Sequence, residues 1–151
     1  MEKFAINSVL LVDDDEASIF LNKIFIRKLG LDAKVYTALN GREALDFLDE
    51  VSITLKGEDS FGPCLLILDI NMPILDGWGF LDAYAQRFSE EMKEHIVIVM
   101  ITVSEDERDL IRASNNPMIK EYLQKPLSDE HLLMIMQRYF PFDGNIYRDE
   151  D

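Results

Sequence analysis

Five short apolar runs occur along the chain, and longer amphipathic segments separate them. The runs cover residues 8–12, 33–38, 64–68, 95–102 and 119–124. Short runs of this kind, rich in Val, Ile and Leu, predict β-strands. The apolar run within HIVIVMIT, residues 95–102, is uninterrupted and predicts a central strand that is buried on both faces of a sheet.

The first two intervening segments have the apolar spacing of helices. Residues 16–29 place their apolar side chains three and four positions apart, and Gly30 predicts the end of this helix. Asn40 and Glu43 have the spacing of an N-cap and its third-position acid, which predicts a helix that continues to about Leu48.

Glycine, proline and capping residues divide the middle of the chain. Residues 52–63 contain two glycines and a proline and predict a long loop, which we expect at the edge of the sheet opposite the carboxyl ends of the strands. The segment GWGFLDAYAQRF, residues 77–88, predicts a helix. Ser104 and Glu107 have the spacing of a capping box for a helix of roughly two turns.

A last amphipathic segment completes the pattern. It begins with Ser128 as N-cap and continues through Phe140, and Pro141 ends it. Residues 1–140 therefore predict one domain of alternating strands and helices, an α/β fold of the (βα)₅ type with a parallel sheet covered on both faces. Residues 141–151 predict a short, fraying acidic tail with no room for an output domain such as a helix-turn-helix.

Composition and charge narrow the class of protein. A chain of 151 residues fits one domain, and it contains no apolar stretch long enough to cross a membrane. The formal net charge of −14 repels nucleic-acid phosphates and argues against direct nucleic-acid binding. The single cysteine, Cys64, excludes an intramolecular disulfide framework and predicts a cytoplasmic location.

Polar and charged side chains follow four of the five predicted strands. They are Asp13, Asp14 and Asp15 after the first strand, Asp69 after the third, Thr102 after the fourth and Lys125 after the fifth. Because the carboxyl ends of parallel strands lie at one edge of a sheet, we expect these side chains to converge. Converging carboxylates favour a hard divalent cation such as Mg²⁺, and the hydroxyl and ammonium groups can hold other phosphoryl oxygens. The set suits phosphoryl transfer to a carboxylate.

Four blocks of sequence carry a family resemblance. LLVDDDE, LLILDINMPILDGWGFL, VMIT and YLQKP resemble, in this order, the signature blocks of receiver domains of two-component response regulators, and the similarity covers about residues 7 to 140. The resemblance implies a flavodoxin-like fold with strand order 2-1-3-4-5.

The same resemblance implies a function. It implies a stand-alone response regulator that takes a phosphoryl group from a histidine kinase or a histidine phosphotransfer protein. Signalling then proceeds through phosphorylation-dependent binding of a downstream protein or through a phosphorelay. Such a protein catalyses only its own phosphorylation and dephosphorylation and is not otherwise an enzyme.

The resemblance also implies the residues of the phosphorylation site. Asp69 matches the phosphoacceptor of the family. Asp14 matches its direct Mg²⁺ ligand, and Asp13 matches the acidic neighbour that acts mainly through water. The main-chain carbonyl of Asn71 matches the third protein ligand of the metal.

The residues of the conformational switch are implied in the same way. Thr102 matches the switch hydroxyl, Lys125 the phosphate-binding lysine and Tyr122 the switch aromatic, and the Lys125–Pro126 peptide is cis in the family. Val103 departs from the family, which usually has alanine, serine or glycine at this position. A β-branched side chain here should narrow access to the phosphoryl group.

Single residues also have purely structural interpretations. Asp15 fits a helix N-terminus, and Asp76 with Gly77 fits a turn. The default interpretations of Trp78 and Cys64 are core packing and an inert buried thiol.

Two other functions remain open at this stage. The first is a pseudo-receiver, an interaction module that keeps the fold without being phosphorylated, although intact Asp69, Thr102 and Lys125 argue against it. The second is a phosphatase or phosphotransferase of the haloacid dehalogenase type. That chemistry needs a general acid two residues after the nucleophile, where this chain has Asn71.

Overall fold

Five parallel strands form the centre of the computed structural model, which describes residues 4–54 and 61–142. The strands are β1 (Ser8–Val12), β2 (Lys34–Ala38), β3 (Cys64–Leu68), β4 (Ile96–Thr102) and β5 (Ile119–Gln124). The helices are α1 (Glu16–Leu29), α2 (Gly41–Thr54), α3 (Gly77–Arg87), α4 (Glu90–Glu94), α5 (Glu107–Ser114) and α6 (Asp129–Tyr139).

The sheet has the predicted flavodoxin-like topology. The strands lie in the order β2-β1-β3-β4-β5, and all four neighbouring pairs are parallel. Val12 pairs with Ala38 on one side and with Leu68 on the other, so these three strands end level with one another. The residues that follow them therefore meet at one edge of the sheet.

Alternate residues of the strands enter two separate cores, one on each face of the sheet. On one face, Leu10 and Leu66 pack in the cluster that contains Trp78 of α3. On the other face, Leu11 and Ile67 pack in the cluster that contains residues of α1 and α6. Because both faces exclude water, β1 and β3 are apolar at almost every position, and burial of each such side chain contributes about 1.5–3 kcal/mol.

Helix α1 begins and ends where the sequence predicts. The Asp15 side chain accepts a hydrogen bond from the main-chain N–H of Ala17, so the capping interpretation of Asp15 is confirmed. Gly30 ends the helix in the left-handed conformation with a φ of 75°, which glycine adopts without steric cost.

Helix α2 is longer than predicted. It starts after Asn40, whose side chain accepts the Glu43 N–H, but it continues to Thr54 and not to about Leu48. The extra turns are held by tertiary contacts, because Val51 packs against the core and Asp49 forms a 2.9 Å ion pair with Arg87 of α3. The predicted loop at 52–63 thus begins inside this helix, and residues 55–60 lie outside the described part.

Two further corrections concern short helices. Helix α4 was not predicted; it is a polar helix that is capped by Ser89 and packs only Met92 against the core. Helix α5 is capped by Asp106, whose side chain accepts the Arg108 N–H, so the predicted capping box of Ser104 is wrong. Ser104 instead accepts the N–H of Asp106 in a tight turn just before the helix.

The last helix follows the prediction, with Ser128 as its N-cap and Phe140 as its C-cap. Pro141 pairs with Phe4 in an isolated antiparallel bridge. Residues 143–151, where the frayed tail is predicted, lie outside the described part. Among the described helices, none combines the length and the hydropathy that crossing a bilayer requires.

Candidate functional site

Three carboxylates meet at the carboxyl edge of the sheet. The main-chain N–H of Asp13 donates to Ala38, and that of Asp69 donates to Val12, so the strand ladder places both residues one step beyond the strand ends. Carboxylate oxygens of Asp13, Asp14 and Asp69 all lie within 4.8 Å of one another. Asp13 and Asp69 are buried, while Asp14 is exposed and opens the cluster to solvent.

Lys125 lies against the two buried carboxylates. Its Nζ lies 2.7 Å from Asp13 Oδ2 and 3.3 Å from Asp69 Oδ2. The main-chain N–H of Lys125 donates to the carbonyl of Thr102, which fixes the start of this side chain beside β4. The cluster thus contains three carboxylates and one ammonium, which contacts two of them, so carboxylates outnumber cations.

The electrostatics of the cluster follow from burial and charge. Burial raises the pKa of Asp69 to about 6, the carboxylate of Asp13 adds to the rise, and Lys125 opposes it. Burial lowers the pKa of Lys125, but its contacts with Asp13 and Asp69 outweigh that effect and leave the pKa raised. Crowded oxygen donors with one exposed member fit a hard divalent cation, which would relieve the repulsion among them.

Main-chain donors orient the two buried carboxylates. Oδ1 of Asp69 accepts the N–H of Ile70 at 2.8 Å, and Oδ1 of Asp13 accepts the N–H of Asp15 at 2.9 Å. In both residues the second oxygen, Oδ2, is the one that contacts Lys125. The Asp69 carboxylate is therefore held with one oxygen on the main chain and the other beside the ammonium group.

The remaining predicted residues differ in how deeply they are buried. Thr102 is fully buried at the end of β4, and its Oγ1 accepts the N–H of Ser104 at 3.1 Å. Asn71 is exposed in the loop after Asp69. Tyr122 is half-buried in β5 and packs against the core on the α3 face.

Gly77 has a role at the site that the sequence did not reveal. The predicted turn is the N-terminus of α3, where Asp76 is the N-cap. Gly77 lies directly against the main chain of Asp69 and Ile70, so close that a side-chain carbon would collide with it, and its N–H donates to the Ile70 carbonyl at 2.8 Å. A glycine next to an aspartate signals a turn, but its approach to another residue's main chain depends on tertiary packing.

The loop between β4 and α5 contains a second group of contacts that sequence analysis missed. The Ser104 hydroxyl donates to Asp109 Oδ2 at 2.7 Å, and the Trp78 indole N–H donates to Asp109 Oδ1 at 3.2 Å. Trp78 is buried as expected, yet it also has this polar partner. Val103, beside Ser104, is 66% exposed.

Two smaller expectations agree with the structure. The Lys125–Pro126 peptide is cis. Cys64 is buried, and burial raises the pKa of its thiol to about 12, which fits an inert side chain.

Comparisons with known proteins show which family most of the chain resembles. Residues 9–137 match the family model of the response regulator receiver domain. The probable methanogenesis regulatory protein FilR2 of Methanothrix harundinacea is 32% identical over 124 residues, which cover 82% of this chain and 75% of that protein.

Another curated relative and a solved structure extend this similarity. The tetrathionate response regulatory protein TtrR of Salmonella typhimurium is 28% identical, and the match covers 87% of this chain but 55% of TtrR. The crystal structure of a two-component response regulator from Cytophaga hutchinsonii has a TM-score of 0.75 at 29% identity and covers 88% of this chain and 96% of that one. The family match, the strand order and the acidic cluster at the edge of the sheet agree with one another. The chain therefore belongs to the family of response regulator receiver domains of two-component signalling.

Proposed function

We propose that this receiver domain accepts a phosphoryl group on Asp69 from phosphohistidine of a histidine kinase or a histidine phosphotransfer protein. The observation that carries the proposal is the buried Asp69 carboxylate, which lies beside Lys125 and within 4.8 Å of two further carboxylates at the carboxyl edge of the sheet. Receiver domains interact with histidine kinases and phosphotransfer proteins, and they are generally signalling modules and not enzymes.

The transfer needs a carboxylate nucleophile and a leaving imidazole. One oxygen of Asp69 forms a bond to phosphorus while the phosphorus–nitrogen bond of phosphohistidine breaks. The imidazole leaves with the bonding electron pair and takes a proton from water. The Ile70 N–H holds Oδ1, which leaves Oδ2 beside Lys125 as the oxygen we assign to the attack.

Lys125 and the metal site stabilise the transferred charge in this proposal. Lys125 balances negative charge on the phosphoryl oxygens as they approach Asp69. The proposed metal ligands are Asp14, Asp69 and the main-chain carbonyl of Asn71, with Asp13 acting through water. Mg²⁺ bound there supplies positive charge that neutralises phosphoryl oxygens.

The proposed conformational switch uses Thr102 and Tyr122, which match the switch hydroxyl and the switch aromatic of the family. The buried Thr102 hydroxyl keeps its own proton while it accepts the Ser104 N–H, so it can donate to a phosphoryl oxygen on Asp69. Movement of Thr102 then leaves space for Tyr122, which changes the surface formed by α5, β5 and α6. This is a population shift between two packings of the same chain.

The proposed output is protein binding. We assign residues 1–140 to the receiver and residues 141–151 to a short acidic segment that follows it. The net charge of −14 argues against nucleic acid as the direct target, so a downstream protein or a phosphorelay partner is proposed instead. The proposed location is the cytoplasm.

A labelling experiment tests the proposal. Acetyl phosphate with Mg²⁺ should add one phosphoryl group to the wild-type chain, seen by intact-mass spectrometry, and Asp69→Asn should remain unlabelled. Asp76→Asn is the matched control, because Asp76 lies in the loop beyond Asp69 but caps α3 through its contact with Gly79. Equal labelling of wild type and Asp69→Asn would reject Asp69 as the acceptor. A wild type that stays unlabelled would instead favour a pseudo-receiver.

A further inference from the structure

A continuous series of hydrogen bonds joins the Thr102 hydroxyl to helix α3. The Ser104 N–H donates to Thr102 Oγ1 at 3.1 Å, and the Ser104 hydroxyl donates to Asp109 Oδ2 at 2.7 Å. The other oxygen of Asp109 accepts the Trp78 indole N–H at 3.2 Å. We call Ser104, Asp109 and Trp78 the Asp109 cluster. Both carboxylate oxygens of Asp109 are used, and their donors come from two different elements.

Further contacts hold this cluster in place. The Gln124 side-chain amide, at the end of β5, donates to the Ser104 carbonyl at 2.8 Å. The Arg112 guanidinium lies 4.5 Å from the centre of the Trp78 ring, which is a cation–π contact. Thus α3, α5 and β5 all contribute contacts to the loop at 103–106 or to the cluster beside it.

The Tyr122 hydroxyl is a neighbour of the Asp109 cluster. It is buried and finds no hydrogen-bond partner among the described residues. Burial raises the pKa of this hydroxyl, the Asp109 carboxylate adds to the rise, and the Ser104 hydroxyl opposes it, so both groups lie near Tyr122. Tyr122 therefore lies beside the Asp109 cluster but adds no hydrogen bond to it.

We propose that the Asp109 cluster is a latch that holds the loop at 103–106 in the unphosphorylated position and opens when Thr102 binds the phosphoryl group. This inference rests on the proposed phosphorylation of Asp69. Thr102 Oγ1 accepts the Ser104 N–H only in its present position. Its movement toward Asp69 removes that acceptor and frees Ser104 to leave Asp109.

The latch has a measurable effect on phosphorylation by small donors. The proposal includes that the open position is the one that favours phosphorylation, so the observed rate is reduced by the fraction of molecules that are latched. Removing the Asp109 carboxylate raises the open fraction without touching Asp69 or the metal ligands. The Trp78 indole also loses its acceptor, and Trp78 is the only tryptophan of the chain, so its fluorescence reports the cluster directly.

The experiment compares Asp109→Ala with Glu107→Ala in the full chain. Glu107 lies in the first turn of the same helix and is exposed, so its replacement removes the same charge without touching the cluster. The phosphorylation rate with acetyl phosphate and Mg²⁺ should rise about fivefold in Asp109→Ala, the lower end of typical coupling between sites, and stay at the wild-type value in Glu107→Ala. Without phosphodonor, the Trp78 emission of Asp109→Ala should already resemble that of the phosphorylated wild type.

A second variant tests the connection itself. Ser104→Ala removes the other half of the Ser104–Asp109 bond and should give the same rate increase. The double variant should add little, because both changes break one bond. If thermal melts show that Asp109→Ala does not fold, Ser104→Ala decides the question alone.

The outcomes separate the latch from the proposed phosphorylation. Equal labelling rates in wild type and in the folded Asp109→Ala or Ser104→Ala variants would overturn the latch and leave Asp69 as the acceptor. A wild-type chain that takes no phosphoryl group would overturn both, and the wild type alone would show it.

Discussion

Lys125 lies closer to Asp13 than to the proposed acceptor: its Nζ is 2.7 Å from Asp13 Oδ2 and 3.3 Å from Asp69 Oδ2. The unphosphorylated site is thus held together by a buried ion pair that does not depend on the acceptor. In the proposed phosphorylation, the Lys125 ammonium is shared between Asp13 and the phosphoryl group, because the same Nζ contacts both Asp13 and Asp69.

This ion pair makes Lys125 important for folding. Lys125→Met keeps most of the length of the side chain but leaves buried carboxylates without a cation, so it should lower the free energy of unfolding at pH 7 by about 3 kcal/mol. Urea denaturation measures the change. Lys28→Met is the control, because Lys28 forms an exposed pair with Asp129 and its loss should cost less than about 1 kcal/mol. Equal losses in the two variants would show that the Lys125 pair is as weak as a surface pair.

The pKa of Asp69 predicts how stability depends on pH. Burial and the Asp13 carboxylate raise this pKa from 3.8 to about 6, so the folded protein holds the proton more tightly than the unfolded chain. The resulting stabilisation is present below the ordinary pKa and is lost as the pH rises through about 6. In Mg²⁺-free buffer, Asp69→Asn should remove this decline between pH 4 and 6. At pH 7 it should be more stable than the wild type, by at most about 3 kcal/mol.

Urea denaturation at several pH values, with exposed Asp46→Asn as control, measures this effect. The Asp46 variant should keep the wild-type pH dependence, since its side chain is well solvated. The raised pKa of Asp69 would be contradicted if the free energy of unfolding of the wild type stayed constant or rose between pH 4 and 6 and that of Asp69→Asn changed in the same way.

The metal proposal predicts different roles for two adjacent aspartates. Asp14→Asn removes one carboxylate of the acidic cluster and should weaken Mg²⁺ binding at least about tenfold. It should also raise the melting temperature of the metal-free protein, because fewer like charges then repel one another. Asp15→Asn removes the same charge one residue later, from the cap of α1, and should leave Mg²⁺ affinity unchanged. Calorimetric titration with Mg²⁺ that gives equal affinities for wild type and Asp14→Asn would remove Asp14 from the ligand set.

We expect the side chain of Val103 to lengthen the lifetime of the phosphorylated protein. Its exposed, branched side chain directly follows Thr102 and should hinder water on its way to the phosphoryl group. Val103→Ala should therefore shorten the lifetime by up to about tenfold, equivalent to about 1.4 kcal/mol of barrier. The decay of phosphoprotein after donor removal measures it. The control is Leu110→Ala, which trims an exposed apolar side chain on α5. An unchanged or longer lifetime in Val103→Ala would show that the Val103 side chain does not hinder the attacking water.

The strand ends could be predicted from the sequence because local information specifies them. Val12 and Leu68 are the last members of apolar runs, and parallel pairing then places Asp13 and Asp69 side by side. The helix ends at Gly30 and Ser128 were also predictable, since glycine and serine have strong local preferences there.

Contacts between distant residues were not predictable. Helix α2 continues beyond Leu48 because Asp49 pairs with Arg87, which lies 38 residues away in the sequence. The Ser104 hydroxyl was expected to cap α5, but it donates to Asp109 instead, and local spacing does not distinguish the two uses. The Trp78–Asp109 bond joins residues 31 positions apart on two helices, and their separation in sequence carries no periodic signal.

The close approach of Gly77 to Asp69 divides the receiver into a fixed half and a movable half. Main-chain contact between the start of α3 and the end of β3 leaves no space through which the acceptor can shift. Across the sheet, the loop at 103–106 is held by side-chain hydrogen bonds, which can be exchanged one at a time. Under the proposed phosphorylation of Asp69, we therefore expect the change of shape to occur on the β4 and β5 side of the sheet.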